Sequence, residues 1–437
     1  MRGGFWLGRW RLGRLVGAVA GGVLGASLLV AVPARAATWT PIQDVTAPGW
    51  SGSDAPTVAV DREGDSLLVW TACDDALPYC YHQAQARIAP AGGGPLGRIL
   101  TLSPPGSSSS WPQVAADDNG DSAVVWQQDG VVMGRRVSAS GALGTLQTIS
   151  APRASTPSVA VEPTGRALVT WTQYGGGTYT AQARYFGADG TLGPVLTLGA
   201  SSADQTAVAV DRAGGAIVVW AAEGYQGVLA RRLRPSAVAD PLTIAGPAPE
   251  VGYGRVSVTL DRDGDAVISY RRAHSVEPPV VRVRLLSRAG VLGDVIDATP
   301  PSHDVTFHSA LATDLDGDSV LVWSRRTHGV MADVHARAIS RTGALGGITS
   351  FGVGDRPVVT LDDDGDGLVA WQAAGPSYAF MGGWASTVSR NGAFGAVEQV
   401  STDGGAIRVD SGPTGRFSVT WQRIPYPYYE IQARFGR

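Results

Sequence analysis

The segment ALATDLDGDSVLVW, residues 310–323, predicts two short strands joined by a tight acidic turn. Before the turn, apolar residues alternate with small ones, which is the period of a β-strand. Asp314 favours a turn because its short side chain bonds nearby backbone groups, and Gly317 accepts backbone angles that other residues resist. Val320 to Trp323 then form a second strand-like run.

Variants of this segment recur eight times, with successive glycines 45 to 56 residues apart. In each copy a glycine stands six residues before an aromatic residue: Gly64/Trp70, Gly120/Trp126, Gly165/Trp171, Gly214/Trp220, Gly264/Tyr270, Gly317/Trp323, Gly365/Trp371 and Gly415/Trp421. An acid lies three residues before the glycine in seven copies, and Gly412 takes its place in the eighth. Such a period indicates a repeat architecture.

Each repeat has a second half that predicts two more strands, as in Gln182 to Gly199. Four strands in a unit of about 50 residues is the size of a β-propeller blade. The last unit stops after its third strand, and Thr38 to Thr46 resembles the missing fourth. We therefore predict an all-β, eight-bladed propeller of four-stranded antiparallel blades, closed by the N-terminal strand. A solenoid of stacked sheets is the alternative, but its end repeats should be capped.

Residues 1–36 have the features of a signal peptide: a basic opening, an apolar core from Leu15 to Val32, and small residues at Ala34 and Ala36. We expect cleavage before Ala37, which leaves 37–437 as the propeller, secreted by a bacterium to the extracellular space. A retained signal anchor is the alternative. After cleavage the sequence predicts no membrane association, and we expect a monomer.

The basic residues are all arginine, and the leader removes five of the 35, leaving 30 against 38 acids. This acidic balance argues against a nucleic-acid partner. Cys73 and Cys80 are the two cysteines, and in an oxidising compartment we expect them to form a small-loop disulfide. The alternative, a metal pair, has only His82 nearby.

The repeats resemble known propeller families. PTVAVDREGDSLLVW, residues 56–70, is similar to repeat starts in secreted bacterial propellers, including the NHL type, and DLDGDSVLVW, residues 314–323, resembles the FG-GAP (integrin-type) calcium hairpin. The resemblance covers almost all of 37–437. NHL repeats imply protein or nucleic-acid interaction, and some related propellers are lyases. The FG-GAP hairpin carries a further acid where this chain has Val320 and Leu321.

One position departs from the repeat. Six residues before the turn acid, where the inner strand enters the channel mouth, the sequence reads Ala55, Trp111, Thr156, Gln205, Arg255, His308, Arg356 and Ala406. Three basic residues on consecutive blades predict a positive arc that suits carboxylates, and Trp111 or Tyr253 offers a ring to a sugar face. The candidate ligand-binding residues are Trp111, Gln205, Tyr253, Arg255, His308 and Arg356. Ordinary drift at an exposed edge is the alternative.

Two kinds of metal site are conceivable. The acidic turns, such as Asp314/Asp316/Asp318, offer calcium oxygen ligands, but a five-residue turn supplies few of the six to eight that it needs, so we interpret the acids as turn formers. His303, His308 and His328 cluster near one face, yet solvated loop histidines are the simpler interpretation. We therefore assign no cofactor and no metal site, with calcium at the turns as an open alternative.

The sequence assigns no catalytic residue. It has no serine in a nucleophile elbow. A carboxylate pair for glycoside cleavage would come from Glu223, Glu250, Glu277 or Asp304, and their spacing in the sequence does not show which of them face each other. We expect a non-enzymatic binding module that recognises a glycan or protein ligand on the face bearing the channel mouth. A polysaccharide hydrolase or lyase at the same mouth and a structural surface protein are the alternatives.

Overall fold

The chain divides into two compact units, Met1–Val32 and Pro33–Arg437. The structure, a computed structural model, describes parts of the second unit: residues 34–47, 50–52, 56–74, 81–202, 206–222, 227–234, 237–247, 251–274, 278–301, 306–326, 332–374, 380–423 and 429–437. All of the regular elements in these ranges are β-strands. No helix in these ranges is long and apolar enough to cross a membrane.

The first four blades follow one another along the chain, after a short strand β1 (Gln43–Asp44) that belongs to the last blade. Blade 1 contains β2 (Trp50–Gly52), β3 (Thr57–Val60), β4 (Ser66–Asp74), β5 (Gln83–Ala89) and β6 (Leu100–Thr101). Blade 2 contains β7 (Ser109–Ala116), β8 (Ser122–Gln128), β9 (Val131–Val137) and β10 (Gln147–Thr148). Blade 3 contains β11 (Ala154–Val161), β12 (Ala167–Gly175), β13 (Thr178–Phe186) and β14 (Leu192–Ser201). Blade 4 contains β15 (Ala207–Val210), β16 (Ala216–Ala221), β17 (Val228–Arg234), β18 (Ala237–Val238) and β19 (Leu242–Ala245).

The other four blades repeat the pattern. Blade 5 contains β20 (Val251–Leu260), β21 (Ala266–His274), β22 (Val280–Leu286) and β23 (Leu292–Asp297). Blade 6 contains β24 (Thr306–Thr313), β25 (Ser319–Arg326), β26 (Ala332–Ile339) and β27 (Thr349–Val353). Blade 7 contains β28 (Asp355–Leu361), β29 (Gly367–Ala374), β30 (Phe380–Val388) and β31 (Glu398–Ser401). Blade 8 contains β32 (Gly405–Ser411), β33 (Phe417–Arg423) and β34 (Glu430–Gly436), and β1 is its fourth strand.

Eight hydrophobic clusters, one at each boundary between neighbouring blades, hold the blades in a ring. At each boundary the repeating aromatic residue of one blade packs on the preceding blade; Trp126 of β8, for example, packs with Leu67 and Val69 of β4. The eight aromatic side chains are at most 2% exposed. The inner strands also contact their neighbours in turn, with β32 returning to β3. The predicted eight-bladed propeller is confirmed, and the aromatic residue of each repeat is a packing residue.

The ring closes through the N-terminal strand, as predicted. Gln43 pairs with Ala433 and Asp44 with Gln432 in antiparallel register, and the Thr38 N–H donates to the Arg437 carbonyl at 3.1 Å. The Trp39 indole N–H donates to Glu398 of blade 7 at 2.7 Å, and its ring lies edge-on to a Phe417 ring in blade 8. Because β1 is hydrogen-bonded to β34, blade 8 has its full four strands.

The turns between the first and second strands have the same backbone hydrogen bonds in all eight blades, and in most blades an acid adds to them. In blade 6 the Asp314 Oδ1 accepts the N–H groups of Asp316 and Asp318, both at 2.9 Å, and the Gly317 N–H donates to the Asp314 carbonyl. Gly317 has φ +91°, and a Cβ there would lie 3.1 Å from the Asp261 Oδ2 of the preceding blade. The acid therefore adds hydrogen bonds to the backbone of the turn, and the glycine leaves room for the neighbouring carboxylate.

In blades 1 to 6 an arginine on the third strand connects the outer part of the blade to the preceding one. Arg184 Nε donates to the Gly193 carbonyl of its own blade at 2.7 Å, while its Nη1 donates to the Ile149 carbonyl of blade 2 at 3.0 Å. The same contacts recur in blades 1 to 6. In blade 7 the position is Ser386, whose hydroxyl reaches its own blade only, at the Gly395 carbonyl. A planar guanidinium suits this role because its donors are fixed in a fork.

Cys73 is buried at the end of β4, but Cys80 lies outside the described residues. The predicted disulfide therefore stays a prediction.

Replacing Arg184 by lysine should lower the free energy of unfolding by about 1–3 kcal/mol, because one ammonium does not satisfy carbonyls of two blades at once. Equilibrium denaturation measures this. Arg262→Lys is the matched control, since Arg262 is exposed and pairs with an exposed Asp316, and we expect it to change stability by less than about 0.5 kcal/mol. Equal effects of the two substitutions would contradict the bridging role.

Candidate functional site at the channel mouth

The face of the ring reached by the loops into the first strands and by the second-to-third strand loops is here called the top face. In the six repeats where the structure describes the departing position, it lies where the inner strand begins on this face. It is a β-bulge: Trp111, Thr156, Arg356 and Ala406 have φ between 50° and 54°, and the strand register shifts at Arg255 and around His308. Left-handed backbone is uncommon for such residues. The bulge moves these side chains out of the alternation of the strand.

The predicted ligand-binding residues differ in what the structure describes of them. Arg255 and Arg356 are exposed at the mouth, and Trp111, on blade 2, is 48% exposed. Tyr253 lies on β20, but its side chain is not described. Gln205 lies outside the described residues.

The charges of Arg255 and Arg356 both act on a third arginine, Arg408, on the inner strand of blade 8. Burial, followed by the charges of Arg255 and Arg356, lowers the pKa of Arg408 to about 10. The Arg408 Nη1 donates to the Ile407 carbonyl at 2.8 Å. None of the three forms an ion pair with any residue that the structure describes. Blades 5, 7 and 8 therefore direct three like charges into one part of the mouth, here called the arginine cluster.

His308, which the sequence places in a positive arc, lies beside a carboxylate of the next blade. Its Nδ1 lies 3.2 Å from Asp355 Oδ1 of blade 7, and the Ser324 hydroxyl donates to the same oxygen at 2.7 Å. Burial alone would raise the pKa of Asp355, but hydrogen bonds from His308, Ser324 and the Arg356 N–H lower it to about 2. The carboxylate is thus ionised, and His308 is positioned by it across the boundary between blades 6 and 7.

The opposite opening of the channel is crossed by ion pairs. Arg212 of blade 4 reaches Asp363 of blade 7 at 2.8 Å, three blades away around the ring. Arg62 pairs with Asp118 of the next blade at 2.5 Å, and the charge of Asp363 also acts on it. Each of the four residues directly follows a turn acid, so ion pairs between bottom turns span this opening of the channel.

Asp410, two residues beyond Arg408, is an isolated carboxyl on the inner strand. Its Oδ2 accepts the Val60 N–H of blade 1 at 2.8 Å. Burial raises its pKa to about 7, against the opposing effect of the hydrogen bonds from the Val60 and Ser411 N–H groups. Asp410 is partly buried on the innermost strand, and its carboxylate is directed at the backbone of the neighbouring blade.

The described residues contain no group of three His, Cys, Asp or Glu side chains arranged to hold a metal ion. His303 and His328, the predicted partners of His308, lie outside the described ranges, as do Glu223, Glu250, Glu277 and Asp304. The carboxylate pair considered for glycoside cleavage is therefore not assembled from described residues.

Sequence reasoning missed Arg408, Asp355 and Ser324. Arg408 had a visible signal: the inner strand of blade 8 reads Ile-Arg-Val-Asp at 407–410, where most other blades have small or apolar residues. Asp355 directly precedes Arg356 in the sequence. Its pairing with His308 arises because blades 6 and 7 are neighbours and because the bulge displaces the side chains at this point of the strand. Spacing along the chain does not contain that information.

Comparisons with known proteins define the class and nothing finer. No protein-family model matches the chain, and no curated protein matches it. Solved structures similar to it include the β-propeller domain of the Trilobed protease from Pyrococcus furiosus (9% identity, 80% of this chain and 97% of that one, TM-score 0.47) and a PL25 ulvan lyase bound to -[GlcA(1-4)Rha3S]- (9% identity, 84% and 98%, TM-score 0.49). A Dyadobacter fermentans DSM 18053 protein of unknown function is also similar (10% identity, 91% and 99%, TM-score 0.43).

The chain is a β-propeller protein whose structural neighbours include propeller enzymes and a propeller of unknown function. At such low identities and TM-scores the similarity carries no information on ligand or reaction. The NHL-type and FG-GAP resemblance remains an expectation.

Stability should depend on pH through Asp410. The folded protein keeps the Asp410 proton up to about pH 7, whereas the unfolded chain releases it near pH 4. Folding therefore takes up a proton in this window, and the free energy of unfolding falls as pH rises through it. Asp410→Asn should stabilise the protein by roughly 2–4 kcal/mol at pH 8 and by almost nothing at pH 4. Urea denaturation at both values measures this.

Asp294→Asn, at an exposed position of β23, is the control and should show no such difference between the two pH values. An Asp410→Asn protein no more stable than wild type at pH 8 would contradict the buried, unpaired state of the carboxyl.

Proposed function

We propose that this protein binds an anionic glycan, through its carboxylate groups, at the channel mouth on the top face. The observation that carries the proposal is the arginine cluster. Two exposed guanidinium groups and one enclosed group converge there, and the described residues supply no acid to neutralise them. Like charges held close together in a partly desolvated site repel one another, and a bound anion relieves that repulsion.

Guanidinium groups match carboxylates because both are planar and form two parallel hydrogen bonds. The charge of the rest of the protein also favours binding of an anion at the mouth over binding elsewhere on the surface. The chain is acidic overall, so a polyanion is repelled elsewhere and attracted at the mouth. Exposed Trp111 adds an aromatic face of the kind that packs on sugar rings.

The closed bottom of the channel supports a ligand that stays at the top. Because Arg212 and Asp363 meet across the bottom opening, a polymer does not thread through the ring and instead lies over the mouth. The signal peptide predicted for residues 1–36 would place the protein outside the cell, where such polymers occur. The alternative ligand is a protein with exposed carboxylates, which the arginine cluster would bind through the same paired hydrogen bonds.

Calorimetric measurement of binding to polygalacturonate, dextran sulfate and neutral dextran, at two salt concentrations, tests the proposal. We expect the wild-type protein to bind polygalacturonate and not dextran, and Arg255→Ala/Arg356→Ala to weaken binding by about 10-fold or more. The matched control is Arg262→Ala/Arg390→Ala, which removes two exposed bottom-face arginines and the same net charge.

Polygalacturonate affinity equal in wild type and Arg255→Ala/Arg356→Ala would overturn the proposal. So would an equal loss in both double variants, because it would show a general charge effect. Binding of dextran sulfate but not polygalacturonate would overturn the assignment of carboxylate as the recognised group.

A further inference from the structure

The pair formed by His308 and Asp355 has the geometry of a catalytic base and the group that orients it. The imidazole is 24% exposed and the carboxylate 22% exposed, so the pair reaches the mouth while Ser324 beneath it is buried. Asp355 accepts hydrogen bonds from Ser324 and the Arg356 N–H in addition to His308. The carboxylate is therefore fixed from three sides.

This arrangement determines the tautomer of His308. An ionised carboxylate only accepts hydrogen bonds, so the Nδ1 of His308 carries the hydrogen that points to Asp355. The neutral ring then holds its lone pair on Nε2, the nitrogen available to take a proton from a substrate. Ser324 is not a nucleophile in this cluster, because its hydroxyl donates to Asp355 and not to the histidine.

The base stands beside the arginine cluster. Arg356 directly follows Asp355 and keeps φ +51°, a conformation that costs a non-glycine residue free energy. Its charge and that of Arg255 act on Arg408 in the same part of the mouth. A base next to several guanidinium groups suits proton abstraction from the carbon that bears a carboxylate. The guanidinium groups neutralise the carboxylate and stabilise the negative charge that develops on it.

We propose that the mouth cleaves polyuronates by β-elimination, with His308 as the catalytic base and Asp355 as its positioning residue. His308 Nε2 takes the proton from C5 of a uronate held by the arginine cluster. The C5–H electrons form the C4=C5 double bond, the C4–O4 bond breaks, and the leaving oxygen takes a proton from water. No oxidant, reductant or second substrate is needed. This inference rests on the proposed binding of a carboxylated glycan at the same site.

Incubation of the protein with polygalacturonate, polyglucuronate and alginate tests the inference, with ultraviolet absorbance of the unsaturated uronate product as the readout and calorimetry as a separate measure of binding. We expect wild type to form the product from at least one polymer. His308→Gln should bind that polymer with an affinity within about twofold of wild type, and its rate of product formation should fall by about 100-fold or more. Asp355→Asn should lower kcat and leave KM unchanged, because the orientation of the base and not the binding of the substrate is altered.

The control is Arg262→Ala on the opposite face, which should keep the wild-type rate. Wild-type protein that binds a polyuronate without forming unsaturated product would overturn the inference and leave the proposed binding intact. Absence of binding to all three polymers would overturn both. A His308→Gln protein with unchanged melting temperature and wild-type rate would overturn the role of His308, and His308→Asn provides a second test if the glutamine variant is unstable.

Discussion

Each boundary between blades depends on side chains that satisfy the backbone or fill the space of the neighbouring blade. Near the axis the turn acid bonds its own loop and lies against the glycine of the next turn, as Asp261 does at Gly317. Near the rim a guanidinium joins carbonyls of two blades, as Arg184 does. Between them lies the buried aromatic residue. Because a ring has no free boundary, these contacts recur at most boundaries, and this explains why the repeat is largely uniform at these positions; Gly412 and Ser386 are exceptions.

The last blade shows how the pattern accommodates an exception. Gly412 replaces the turn acid, yet its N–H bonds the Arg416 carbonyl just as the acids bond in other turns. The space beside Gly64 of the first blade is occupied by the Arg416 side chain instead of a carboxylate. The turn conformation is therefore a property of the backbone and the glycine, and the acid adds hydrogen bonds to it.

Much of the fold and part of the candidate site were predictable from sequence. The glycine-to-aromatic spacing predicted eight blades, and the fourth strand supplied by Thr38 to Thr46 followed from the incomplete last unit. Arg255 and Arg356 stood out because they depart from the repeat. Arg408 and Asp355 were missed, because their importance comes from neighbours brought close by the ring and by bulges, which turn a side chain in a direction that alternation does not predict. His308 was assigned to a positive arc, but the adjacent blade supplies its acid.

At the boundary between blades 6 and 7, Ser386 stands where blades 1 to 6 have the bridging arginine. There the ring of Phe351, on β27 of blade 6, stacks on Trp371 and meets Phe394 of blade 7 edge-on, while His308 and Ser324 reach across the same boundary to Asp355. The imidazole and the carboxylate of the histidine–carboxylate pair therefore belong to different blades, and the way blades 6 and 7 pack against each other sets their separation. At this boundary the packing at the rim is aromatic, through Phe351.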